Sequence, residues 1–310
     1  MVSQLLAPAA VLTFLFGWNN SAFLIGNIRG SGTLTFRGAL LTAVVGLLAG
    51  VFVEGPKMLR SLDGSLSPAA SITTLGITLV ASILVTLGFT SFNLPVSFTA
   101  AMVGAFLGGT YHAGLPINLG QTELVISFWF VAPLLTGVLT FLLYNGVARL
   151  VSNFGILTVD TINRVGVVMS SLAVSYSLGA NNIGLIYGTA SGTFAGFNDW
   201  AALVGLALLA VLGTALLGRG GVTGTVGDRM LILSPQGVLT VFVTSALVIW
   251  IGTQLAVPIS IGQCVLGGMF GAAYAKSVTV VNKKLAIETV SGWVVVPVAA
   301  FVIAYFASAV

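Results

Sequence analysis

Three charge-free, largely apolar runs, residues 75–92, 201–217 and 238–255, set the strongest limit on what this chain can become. A helix rises ~1.5 Å per residue, so each run reaches most or all of the way across a hydrocarbon layer ~30 Å thick. In lipid every backbone amide needs an internal partner, which leaves only helices or a closed barrel. The runs lack the period-two alternation of barrel strands, so helices are selected. Composition agrees: 57% of the residues are hydrophobic and 6% charged, with a mean hydropathy of +1.10. A soluble domain carries about a quarter charged residues. The chain therefore reads as an all-α polytopic membrane protein.

The rare polar residues exclude several classes. Cys264 is the one cysteine, which rules out an intrachain disulfide and a multi-Cys metal site; His112 is the one histidine and builds no His cluster. With no paired-Asp motif and no nucleophile–base pair, an enzyme is disfavoured, and no resident cofactor or metal is expected. The net charge of +4 reports membrane topology rather than a nucleic-acid partner. The N-terminal stretch has the length of a signal peptide but no basic start, and it reads as the first membrane segment.

The chain is written twice. GWNNSAFLIG (17–26) matches GANNIGLIYG (179–188), LPVSFTAAMVGAFLGG (94–109) matches VPISIGQCVLGGMFGA (257–272), and SFWFVAP (127–133) matches SGWVVVP (291–297). The offsets are 162, 163 and 164 residues, in the same order along both halves. This divides the chain into a first repeat at 1–150, a connecting loop at 151–165 and a second repeat at 166–310. Each repeat holds about five apolar segments: 5–25, 38–53, 71–92, 94–112 and 123–148, then 166–188, 201–217, 238–256, 258–275 and 286–308. An odd number turns the second copy upside down, giving two inverted-topology repeats of the kind secondary transporters use. The segments at 94–112 and 258–275 open with proline and are candidates for re-entrant rather than spanning helices.

Connection charges give an orientation. Arg29, Arg37, Arg149, Arg164, Arg219, Arg229, Lys276, Lys283 and Lys284 follow odd-numbered segments, whereas Lys57 and Arg60 alone follow even-numbered ones. The positive-inside rule then places both termini on the non-cytoplasmic side of the cell membrane. Asp160, Asp199 and Asp228 fall in expected loops.

Against this background, two adjacent asparagines in each repeat stand out: Asn19 and Asn20, then Asn181 and Asn182. Buried Asn serves as helix–helix glue, worth about 1 kcal/mol. Alternatively, the Gly-Xaa-Asn-Asn pattern breaks each helix and presents backbone N–H groups to an anion. The PVSFT (95–99) and PISIGQ (258–263) stretches pose the same choice, because Ser97 and Ser260 are also natural N-caps. Joined by inversion, Asn19, Asn20, Ser21, Ser97, Thr99, Asn181, Asn182, Ser260 and Gln263 enclose one neutral, donor-rich site. That chemistry suits a small tetrahedral oxyanion.

The Gly-Ala-Asn-Asn and Pro-Ile-Ser motifs of the second repeat, with Gly-Trp-Asn-Asn and Pro-Val-Ser in the first, resemble the PiT inorganic phosphate transporter family over nearly the whole chain. The family pattern is G-A-N-D-x-A-N in each half, with P-x-S-T-T-H-x-x-x-G downstream. The resemblance implies a secondary transporter of inorganic anions by alternating access, coupled to Na⁺ or H⁺, often a homodimer in the lipid bilayer, with both motif pairs lining the substrate site. Three departures stand out. Asn20 and Asn182 occupy the family's Asp positions; Phe98-Thr99-Ala100 and Ile261-Gly262-Gln263 replace Thr-Thr-His; and the next segment is apolar near Leu47 and Ala210 where many members carry Glu.

Phosphate brings an O–H donor that a carboxylate accepts, whereas sulfate offers only acceptors. The Asp-to-Asn changes therefore favour sulfate, as in the PiT-type sulfate permeases, with phosphate as the alternative. Losing the carboxylates also favours H⁺ over Na⁺ as the coupling ion. Glu123 and Glu288, at the starts of the fifth and tenth segments, are the candidate coupling acids, unless they are simply helix-start carboxylates favoured by the dipole. Arg29 and Arg37 flank GSGT (30–33), just after the first Asn motif, and either attract anions or report topology. An uncoupled anion channel would share the same polar lining.

Overall fold

The computed structural model describes residues 5–59, 61, 62, 65–67, 70–190, 198–277 and 282–309; Arg60, counted above among the connection charges, lies outside them. Ten main helices appear among the described residues, five per repeat. The first repeat contains α1 (Leu6–Gly30), α2 (Phe36–Glu54), α3 (Ile72–Ser91), α4 (Phe98–His112) and α5 (Leu119–Val151). The second contains α6 (Ile156–Ala190), α7 (Asp199–Leu217), α8 (Pro235–Gln254), α9 (Ile261–Ala275) and α10 (Lys283–Ala307). All but α4 and α9 are long and apolar enough to cross a membrane.

The duplication is visible in the caps. Thr35, Ser71, Ser97 and Asn118 accept a backbone N–H from the first turns of α2 to α5. Asn198, Ser234, Ser260 and Asn282, 163 or 164 residues later, do the same for α7 to α10. Each cap is worth about 1 kcal/mol and fixes where its helix begins.

Helices α3 and α4 form an antiparallel hairpin, with Gly109 near the end of α4 lying beside Thr74 at the start of α3. Residues 92–97 form its tip, which meets Asn19 in the middle of α1. Its open end lies near α5, where the Asn118 N–H donates to the Leu66 carbonyl at 2.8 Å. The second repeat copies this: the α8–α9 tip meets Asn181, and the Asn282 N–H donates to the Met230 carbonyl at 3.0 Å.

Packing directions show the inversion. Helix α1 runs parallel to α7, with Phe14 against Gly213 and Ser21 against Gly218. Helix α2 runs parallel to α6, with Gly50 against Tyr176 and Gly55 against Gly184. Because α1 and α2 are joined by the short 31–35 connection and run oppositely, α1 and its counterpart α6 also point in opposite directions.

The two halves are locked together by glycine. A Cβ on Gly17, Gly50, Gly179 or Gly213 would strike the backbone of the facing helix from the other half. The same holds for Gly104 and Gly108 against α10, and for Gly267 and Gly271 against α5. With no hydrophobic drive between helices in lipid, such close backbone approach supplies the association.

Two expectations are corrected. The connecting loop at 151–165 shrinks to residues 152–155, because α6 already begins at Ile156. Its hydrophilic stretch is the water-facing start of a helix, stabilised by an Asp160–Arg164 pair at 2.8 Å, four residues apart. Nor do the other acids sit in loops: Asp199 opens α7, and Asp228 belongs to a π-helical stretch, Thr225–Met230.

Gly213→Leu and Gly50→Leu should each lower stability by at least about 2 kcal/mol through overpacking. Gly146→Leu, where a side chain meets open space, should leave the melting temperature in detergent unchanged.

Candidate functional site

In α1 and α6 the α-helical ladder is interrupted by π-helical stretches, Ala22–Gly26 and Gly179–Ile183, without splitting either helix in two. Such widenings recur at functional sites. The first follows its Asn pair and the second contains it. Free amide ends therefore do not sit at the asparagines, as the Gly-Xaa-Asn-Asn pattern suggests. They sit at the first turns of α4 and α9, beside Ser97 and Ser260.

The two members of each Asn pair do different work. Asn19 donates to the Val96 carbonyl at 2.9 Å and accepts from the Val96 N–H at 3.1 Å, with the Thr90 hydroxyl adding a 3.3 Å bond. Asn181 repeats this on the second tip, donating to the Val257 carbonyl and to Thr253 and accepting from the Ile259 N–H, all at 3.1 Å. Both side chains are fully buried. These amides hold the hairpin tips.

The second members face a different environment. Asn182 Nδ2 donates to Thr99 Oγ1 at 2.8 Å, and Thr99 in turn donates to the Ile259 carbonyl at 3.3 Å. Because the single Thr99 proton is committed to Ile259, its oxygen must accept, and the Asn182 carbonyl is turned the other way. That Asn182 Oδ1 has no partner among the described residues, and neither do Oε1 and Nε2 of Gln263, although both residues are 1% exposed. Each orphaned polar atom costs about 1–3 kcal/mol in a dry interior. Ser97 Oγ accepts from the Ala100 N–H at 3.2 Å and Ser260 Oγ from the Gln263 N–H at 3.4 Å.

Asn20 donates to the Phe16 carbonyl of its own helix at 2.9 Å and lines a cavity of ≈ 20 Å³ with Ser21, Thr214, Leu47 and Leu178. Ser21 bonds the Trp18 carbonyl at 2.6 Å and the Thr223 hydroxyl at 2.7 Å. Aromatic walls close the region: Phe16 meets Phe98 edge-on at 4.9 Å, and the Phe23 ring occupies the space a side chain on Gly262 would need.

The structure thus sets Thr99 against Asn182 and the Ile259 carbonyl where the hairpins meet, with Ser260 and Gln263 opening α9 just beyond and Ser97 capping the facing helix. Asn20 and Ser21 line the adjoining cavity, while Asn19 and Asn181 scaffold the tips. The carboxylates proposed for coupling lie elsewhere: Glu123 is exposed on α5, and Glu288 faces Lys284 at 3.9 Å on α10. Arg29 donates to the Arg219 carbonyl at 3.0 Å, and Arg219 lies over the Phe36 ring at 4.9 Å, while Arg37 is exposed. The sequence reasoning missed Thr90 and Thr253, which back the tips, and Glu54, a buried acid that closes α2. The signal for Glu54 was its place at the end of an otherwise charge-free run.

Residues 16–157 and 156–304 each match the description "Phosphate transporter family". A putative phosphate permease of Methanocaldococcus jannaschii is 24% identical over 297 residues, covering 95% of this chain and 92% of the relative. A sulfate permease of Bacillus subtilis is 27% identical over 314 residues, covering 96% and 86%. The solved structure titled "The sodium-dependent phosphate transporter" shares the fold with a TM-score of 0.87 at 18% identity, over 99% of this chain and 98% of that one. Matched once by each of its halves, the chain belongs to the phosphate transporter family, a multi-pass membrane transporter of inorganic anions rather than an enzyme.

Proposed function

We propose that this chain moves inorganic phosphate across the membrane by alternating access at the Asn182–Gln263 cluster. The observation that carries this reading is the set of unpartnered amide atoms on Asn182 and Gln263, beside the first turns of α4 and α9. Gln263 Nε2 and the helix-end N–H groups are donors for oxyanion oxygens. Asn182 Oδ1 and Gln263 Oε1 are acceptors for the phosphate O–H, which sulfate lacks. Most of the relatives are named phosphate permeases, which points the same way.

Sulfate is the second reading, favoured by the neutral Asn20 and Asn182 and by the named sulfate permease among the relatives. Proton coupling, both termini on the non-cytoplasmic side and a homodimer in lipid complete the proposal. Ser97, Thr99, Ser260, Asn20 and Ser21 finish the polar shell, while Asn19 and Asn181 position it.

Proteoliposomes given radiolabelled phosphate should accumulate it above equilibration when a pH gradient is imposed, with excess sulfate competing weakly. Uptake that phosphate fails to inhibit while labelled sulfate enters would move the substrate to sulfate. Uptake that never exceeds equilibration would make the protein a channel. Asn182→Ala and Gln263→Ala should weaken the apparent affinity at least about tenfold, worth ~1.4 kcal/mol, without lowering thermal stability.

Asn19→Ala and Asn181→Ala should behave differently, because they orphan the backbone of a tip. A stability loss of about 2 kcal/mol is expected, read as a lower melting temperature in detergent. Asn20→Asp and Asn182→Asp should reduce competition by sulfate at least about tenfold, because each adds a buried like charge.

A further inference from the structure

Glu54 is the one buried carboxylate among the described residues, at 9% exposure; Glu123, Asp160, Asp199 and Asp228 are exposed and Glu288 is half-buried. It closes α2 of the first repeat, yet most of its partners come from α8 of the second. Oε2 accepts from Gln254 Nε2 at 3.0 Å, and Oε1 accepts from the Trp250 indole N–H at 3.4 Å. Lys57 Nζ donates to Oε1 at 3.0 Å and also to Gln254 Oε1 at 2.6 Å, closing a ring of three side chains.

The position of Gln254 gives this ring its leverage. It is the last residue of α8, directly before the second hairpin tip. Its neighbour Thr253 bonds Asn181 at 3.1 Å, and Met58, one turn beyond Glu54, places its sulfur 3.7 Å from the same Asn181 amide. The tip then leads into Ser260 and Gln263 of the anion cluster. A carboxylate on α2 is thereby tied to the segment that carries the proposed substrate groups.

The first hairpin has no counterpart. The matching positions, offset by 163 residues, are Leu217, Leu87 and Ser91. Among the described residues, the charged or titratable groups near Glu54 are Lys57 from its own segment, at 3.0 Å, and Tyr176 from α6. Helix α8 contributes neutral Trp250 and Gln254 only. All three groups bonded to Glu54 are donors. A carboxylate satisfies them together, whereas a carboxylic acid brings a donor of its own and loses its attraction for Lys57.

We propose that Glu54 takes up the coupling proton, and that its protonation unlatches the second hairpin tip from α2. A proton from the aqueous phase adds to a Glu54 oxygen, Lys57 keeps its charge and turns to its exposed side, and the freed tip moves with Ser260 and Gln263. On entry to the other compartment the proton leaves and the ring closes again. This rests on the anion-transport reading above, and it replaces Glu123 and Glu288 as the coupling acid.

The test is proteoliposome transport by the full chain, comparing phosphate counterflow with accumulation driven by a pH gradient. Glu54→Gln should keep counterflow within about twofold and its KM, while gradient-driven accumulation falls at least about tenfold. Accumulation by Glu54→Gln equal to the wild type would overturn the proposal, as would loss of counterflow by a variant with wild-type melting behaviour. Wild-type counterflow without any response to a pH gradient would sink the proton role and leave anion transport standing. Absence of wild-type counterflow with either phosphate or sulfate would instead sink the transport reading itself.

If Glu54→Gln does not fold, Gln254→Leu keeps the carboxylate and removes its tip partner, and accumulation should again fall while counterflow persists. Unchanged accumulation in Gln254→Leu would contradict the latch.

Discussion

A hairpin tip buried inside an apolar protein exposes backbone groups that need partners, and the rest of this structure depends on how those groups are paired. Asn19 and Asn181 each present one donor and one acceptor to a tip and close it from an intact helix. Irregular backbone at membrane depth is tolerated only where protein or a cavity supplies partners. Once the tips are held, the starts of α4 and α9 are fixed, and with them the capped first turns that face Asn182 and Gln263. A polar site in an apolar protein thus follows from satisfying two turns.

The second constraint is close packing between the halves. Glycines on α1, α2, α6 and α7 let backbone meet backbone across the repeat boundary, and the α4–α10 and α9–α5 pairs do the same. Neither repeat is therefore a free-standing domain. Each hairpin lies against a long helix of the opposite repeat, so the two hairpins make equivalent contacts related by pseudo-symmetry. The Glu54 ring breaks this symmetry on one side only.

Much of this was legible in the sequence, for identifiable reasons. Helix number and repeat register follow from apolar runs and three matched motifs, and Pro95 and Pro258 mark the two hairpin tips. Ser97 and Ser260 were readable as caps because capping is a local interaction. What depended on distant partners was not readable. The division of labour within each Asn pair is set by Val96 and Ile259, more than seventy residues away in the chain. The helices widen into π turns instead of breaking because tertiary packing, not the local Gly-Asn pattern, sets their course. The stretch at 152–164 was mistaken for a loop because a solvated helix start and a loop share polar composition. Glu54 was passed over because its burial depends on Trp250 and Gln254 from the other repeat.

The central claim is that the tetrahedral oxyanion is held at the meeting of the two hairpins. An experimental structure of the protein soaked with arsenate or selenate, with the heavy atom located by anomalous scattering, tests this most directly. The account predicts one peak within hydrogen-bonding reach of Asn182 and Gln263, beside the first turns of α4 and α9. A peak found instead beside Arg29 and Arg219, with the hairpin cluster unoccupied, would contradict it.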